Sequence, residues 1–113
     1  MKIACWDIQG LNDPVKQKEI AKIINSRNLH IMGIVKTKVT LRNFENIFAN
    51  ALPSWESIHN TTNNRIWFCW DPHGVQISKI RTARQAITCW IHSTIWNIDF
   101  DLAFLYGTTD LES

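Results

Sequence analysis

No stretch of this sequence is apolar for long enough to cross a bilayer, and it does not open with a basic segment followed by an apolar one. The expectation is an intracellular protein, nuclear or cytoplasmic, with no signal peptide and no membrane attachment. Excess charge is also missing. The net charge is +2, and the basic residues form no block, so charge alone makes no case for an acidic partner. The three cysteines, Cys5, Cys69 and Cys89, contain no CxxC pair, and His30, His59, His73 and His92 are scattered. A zinc site is discarded on that spacing, and buried, reduced cysteines are expected. Internal repeats and low-complexity linkers are absent as well. What remains is 113 residues at 45% hydrophobic, which fits one domain with enough apolar side chain for a core.

The chain opens with an alternating segment, Met1 to Ile8, that predicts a buried strand. Asn12-Asp13-Pro14 is a helix start, because Asn or Asp caps the free N–H groups and Pro is preorganised for the first turn. The helix is expected to run to about Arg27, with Val15, Ile20, Ala21, Ile23 and Ile24 on its apolar face. Lys16, Lys18, Glu19 and Lys22 are expected to be wet. Leu29 to Val35 is rich in β-branched residues and predicts a second strand, completing a βαβ unit. A right-handed crossover makes the two strands parallel. Asp7 and Lys36 then sit at the carboxyl ends of neighbouring strands, the edge where open α/β sheets place ligands.

Thr40 to Leu52 predicts a second helix, ended by Pro53. The period then changes. Trp55–His59, Ile66–Trp70, Val75–Ile80, Ala86–His92 and Ile98–Tyr106 are short strand candidates separated by polar breaks. The second half is expected to be an antiparallel meander, and the fold class α+β.

Several segments carry a resemblance. They are Cys5-Trp6-Asp7-Ile8-Gln9-Gly10-Leu11-Asn12, Val35-Lys36-Thr37-Lys38, Arg65-Ile66-Trp67-Phe68-Cys69-Trp70-Asp71-Pro72, Gln85-Ala86-Ile87 and Phe104-Leu105-Tyr106-Gly107. In this order the chain resembles the N-terminal part of the endonuclease/exonuclease/phosphatase domain of plant LINE-type (non-LTR) retrotransposons. The resemblance implies an α/β sandwich of two sheets, here incomplete, with residues 1–113 a partial domain lacking its C-terminal half. It also implies a magnesium-dependent phosphodiesterase that nicks DNA ahead of reverse transcription.

The family's first motif reads Trp-Asn-x-Arg-Gly-Leu and its second Glu-Thr-Lys. Here Asp7 replaces the Asn, Gln9 the Arg, and Lys36 the metal-binding Glu, while Tyr106 retains the family's phosphate-contacting Tyr. The family's Gly-Asp-x-Asn and Ser-Asp-His segments, which supply the base and its orienting partner, do not occur. Magnesium takes hard oxygen ligands, so Asp7 remains an acceptable, though degenerate, metal position. Lys36 does not. A monocation about 6 Å from a dication costs roughly 5 kcal/mol at an effective dielectric near 20, besides the lost ligand. Neutral decay accounts for Lys36 better than a direct phosphate-binding role.

No catalytic residue is therefore intact, and no cofactor is expected for this chain. The leading expectation is a truncated, catalytically inactive remnant of a retrotransposon endonuclease. One alternative is the front half of an active enzyme cut short by gene modelling, and another is a non-catalytic nucleic-acid or protein-binding module. Binding to DNA is expected to be weak or absent. The six tryptophans are expected in the core rather than stacked on bases. Lys79, Arg42, Arg65, Arg81 and Arg84 are expected on a solvated surface. The strand ending at Tyr106 should have an open edge and a partly uncovered inner face (some of Trp96, Ile98, Phe100, Leu102 and Phe104), allowing self-association.

Overall fold

The computed structural model describes residues 1–8, 11, 13–35, 41–59 and 66–105. Strand β1 (Ile3–Asp7), helix α1 (Pro14–Arg27) and strand β2 (Ile31–Val35) come first, followed by helix α2 (Leu41–Ala51). Five strands follow: β3 (Glu56–His59), β4 (Ile66–Trp70), β5 (Val75–Ala83), β6 (Ala86–Ser93) and β7 (Ile98–Leu105).

Local chemistry fixes the ends of α1. The Asp13 carboxylate accepts the Val15 N–H at 2.9 Å, and Pro14 occupies the first turn. Asn28 ends the helix in the left-handed region at φ 53°, returning its N–H to the Ile24 carbonyl. Ile20 is fully buried and Ile23 and Ile24 partly so, whereas Val15 is 62% exposed, contrary to expectation. It precedes Ile20 by five residues, and at about 100° per residue this turns it well away from the buried stripe.

The strands form two sheets. The larger has the order β1-β2-β4-β3, with β1 parallel to β2 and the other pairs antiparallel. The smaller is the antiparallel meander β5-β6-β7. The expected single meander is thus corrected: β3 and β4 join the N-terminal unit instead of the later strands. β2 and β4 are buried on both faces, which suits the centre of a sheet covered on each side. On one face Met32, Ile34, Trp67 and Cys69 meet Ile20 and Ile47 of the helices and Leu52 just after α2. On the other, Ile31, Val35, Ile66 and Phe68 meet Ile87, Cys89, Ile91 and Phe104 of the smaller sheet.

β1 is an edge strand, not a buried one; Ile3, Cys5 and Asp7 are exposed, and Ala4 and Trp6 are partly covered by the helix layer. Cys5 accordingly departs from the expected buried cysteines, which Cys69 and Cys89 obey. β5 runs longer than expected and carries a bulge between Ser78 and Arg81, with Lys79 at φ 51°. Tryptophans 67 and 70 are buried, and Trp6 and Trp55 pack on the helix-side core. Trp90 and Trp96 do not join them. Trp90 lies under the Lys79 ammonium, 5.3 Å from its ring centre, and Trp96 is 44% exposed with its ring edge-on to His30. Lys79, Arg81 and Arg84 are exposed as expected, while Arg65 and the Arg42 side chain lie outside the described residues. Among the described residues, no helix is long and apolar enough to cross a membrane.

Candidate functional site

The parallel pairing of β1 and β2 places Asp7 opposite Val35 at the carboxyl end of both strands. The ladder extends one step further, the Ile8 N–H donating to the Val35 carbonyl at 3.1 Å. Asp7 is exposed on the face that looks toward the smaller sheet, two residues from Cys5. Partial burial raises the Cys5 thiol above its ordinary value, and the Asp7 carboxylate adds to that rise. Lys36, the residue after Val35, and Tyr106, the residue after Leu105, lie outside the described residues. The expected approach of Lys36 to Asp7 therefore stands only as far as the register of Asp7 and Val35.

β7 runs to the same edge. At one end of the molecule the Trp96 and His30 rings meet with centres 5.1 Å apart, just before β7 and β2 begin. Further along, Phe104 of β7 packs on Gly33 of β2. Both strands therefore run from the His30 end toward the Asp7 end, and the strand leading to Tyr106 finishes on the side where β1 and β2 finish.

The connection from β1 into α1 is held by side chains of the helix. The Lys16 ammonium donates to the Ile8 carbonyl at 2.9 Å, and the Gln17 amide donates to the Leu11 carbonyl at 3.0 Å. Ile8 and Leu11 are buried beneath them. Lys16 was expected to be wet, and its half-buried role corrects that. The signal was present, because Lys16 lies four residues ahead of Ile20 on the same helical stripe.

The described residues alone do not make up a magnesium site: Asp7 offers one carboxylate, and among the described residues no group of three or more His, Cys, Asp or Glu side chains converges to hold an ion. The sequence supplies Lys36 where the second carboxylate is expected.

Among solved structures, the chain is similar to the human Nocturnin catalytic domain, which was solved with a bound sulfate anion. The TM-score is 0.67 at 10% sequence identity, over 94% of this chain and 49% of that one. It is also similar to a functionally unknown conserved protein from Enterococcus faecalis V583, at TM-score 0.61 and 11% identity, over 91% of this chain and 51% of that one. The fold is of the endonuclease/exonuclease/phosphatase type. The chain spans about half the length of these two structures. No family model matches it, and no curated protein does.

Proposed function

We propose that this chain is the N-terminal half of a retrotransposon-type DNA endonuclease domain that no longer cleaves DNA. The observation that carries the proposal is the register of β1 on β2. Asp7 stands at the carboxyl edge of β1, and its ladder partner Val35 leads directly into Lys36, the position where the resemblance calls for a metal-binding Glu. The nuclease/phosphatase-type fold supports the coarser part of the assignment. The plant LINE origin rests on the sequence motifs.

The test is incubation of the purified chain with supercoiled plasmid and magnesium, alongside calorimetric titration of magnesium. Neither nicking nor a specific magnesium site is expected. Nicking that disappears in Asp7→Ala would reveal the metal site that the proposal denies. Nicking that survives Asp7→Ala, and is missing from a mock purification, would place the chemistry elsewhere. Lys36→Glu should recover weak magnesium binding without turnover, because a base and its orienting partner are still required.

The half-length match favours a second reading, in which these residues are the front half of a longer, active enzyme. An open reading frame continuing past codon 113 into Gly-Asp-x-Asn and Ser-Asp-His segments would decide for it.

A further inference from the structure

The end of the molecule away from Asp7 carries a cleft. It lies where α1 ends and β2 begins, one length of β2, roughly 16 Å, from the carboxyl edge. Two lobes share Ile24, Asn25 and Trp55. The larger lobe, about 240 Å³, is completed by Asn28, Leu29, His30 and Asp71. The smaller, about 70 Å³, is completed by Ala21, Ala51, Leu52 and Pro53. One lobe is therefore polar and the other apolar.

Hydrogen-bond acceptors dominate the polar lobe. The Ile24 carbonyl takes the N–H groups of Asn28 and Leu29. The carbonyls of Asn25, Ser26 and Arg27 receive no backbone N–H among the described residues, so α1 presents its negative end here. Arg27, the basic residue of that last turn, lines a separate hollow beside β1 instead. Asp71 is held in place. Its N–H donates to the His30 carbonyl at 3.0 Å, and its Oδ1 accepts the His73 N–H at 3.0 Å and meets His73 Nδ1 at 2.8 Å. Oδ2 takes no hydrogen bond from a described residue, which leaves it for a ligand. His30 adds no positive charge at neutral pH. Its Nδ1 accepts the Lys2 N–H at 3.3 Å, and burial, the N-terminal amine and Lys2 hold the ring below its ordinary value against the pull of Asp71. Neither Met1 nor Lys2 lines the cleft. Among the described residues no three His, Cys, Asp or Glu side chains converge, so a bare metal ion does not suit it.

We propose that this cleft binds a small organic cation, a primary alkylammonium. Its head sits against Asp71 and the end of α1, and its short chain enters the lobe formed by Ala21, Ala51, Leu52 and Pro53. An ammonium has three N–H donors, which match a carboxylate oxygen and helix-end carbonyls. Trp55 borders both lobes and offers its ring to the head and apolar surface to the chain. An anionic head would meet Asp71 and the negative helix end unfavourably. The proposal goes beyond the nuclease reading and is independent of whether the chain cleaves DNA.

The test titrates n-butylamine, charged at pH 7, into the 113-residue chain at fixed ionic strength, followed by amide and indole NMR. Saturable shifts are expected at Trp55, Asn28 and Asp71, with millimolar affinity. 1-Butanol should bind about tenfold more weakly, for want of charged hydrogen bonds, and butyrate not at all. Asp71→Asn keeps an acceptor for the His73 N–H and should weaken butylamine by about tenfold or more. Ala21→Leu fills the apolar lobe and should erase most of the advantage of butylamine over methylamine. Absence of saturation at tens of millimolar butylamine overturns the proposal, as does equal affinity for butanol or butyrate, or a response centred on Asp7. Undiminished binding in Asp71→Asn, or an undiminished chain-length advantage in Ala21→Leu, overturns it as well. The ligand series on the parent chain keeps the proposal testable if either variant fails to fold. None of these outcomes bears on the plasmid assay, so the two proposals fail separately.

Discussion

Replacing Gly33 with alanine tests the closest approach between the two sheets. A β-carbon at that position would lie 2.5 Å from Phe104 Cγ and 2.6 Å from its Cε1. Carbon atoms rest at about 3.5–4.0 Å, so the ring must retreat by roughly 1 Å. Turning the ring about its Cβ–Cγ bond cannot supply this, because Cγ lies on that axis; a new χ1 for Phe104, a shift of β7 or a wider spacing of the sheets is required. Overpacking of this kind costs about 1–3 kcal/mol. Restricting the unfolded chain by the Gly→Ala change returns about 0.4–1 kcal/mol. A net loss of about 1–2 kcal/mol is expected, read as a lower urea midpoint at unchanged slope. Phe104→Ala alone should cost about 3–5 kcal/mol. In the double variant the added methyl group has room, so the combined loss should fall short of the sum by about 1 kcal/mol or more. A Gly33→Ala variant as stable as the parent, or strictly additive losses, would refute the packing of β7 on β2.

Three further outcomes are expected. Burial, the nearby N-terminal amine and Lys2 hold the His30 imidazole below its ordinary value, with Asp71 opposing them, so the folded state favours the neutral ring. Its contribution to stability is present above the unfolded value of about 6.5 and is lost as pH falls through the lower folded value. An NMR titration of His30 checks this, and a midpoint at or above the ordinary value would contradict it. Asp13→Ala removes the cap on α1 and should cost about 1 kcal/mol in urea unfolding, with Asp13→Asn retaining most of the stability. In the native chain a thiol reagent should modify Cys5 first, since Cys69 and Cys89 are buried and burial raises both thiols, that of Cys89 to about 11. Equal rates at the three sites would mean that the core opens more readily than its packing implies.

The parts legible in the sequence are those decided by neighbouring residues. Asn12-Asp13-Pro14 and Asn28 mark α1 because capping is local chemistry, and the βαβ pattern is enough to put Asp7 at the carboxyl end of its strand. The partition of the later strands was not legible as a meander, because partners across a sheet are chosen by packing between distant segments. One clue was present. Ile31–Val35 and Ile66–Trp70 are apolar throughout, as central strands covered on both faces are, whereas β6 and β7 alternate. At the candidate site, Lys16 was misjudged on its charge alone; its place on the stripe of Ile20 predicts the contact with the Ile8 carbonyl. The exposure of β1 depends on how far the smaller sheet extends, which no local pattern records.

The double-sided burial of β2 and β4 has a consequence for alignment. In a strand with one wet face, a slip of one residue exchanges apolar for polar side chains and is strongly penalised. Ile31–Val35 and Ile66–Trp70 have no polar face to expose, so hydrophobicity alone leaves their relative alignment almost undetermined. Side-chain volume has to decide it. Gly33 is the one small residue in β2, and the Phe104 ring fits only where a side chain is missing. Shifting β2 by one residue would present Met32 or Ile34 to that ring. The glycine therefore acts as an index notch: β2 can seat against β7 in one position along its length, and Asp7, paired through Val35, is carried to the sheet edge by that choice.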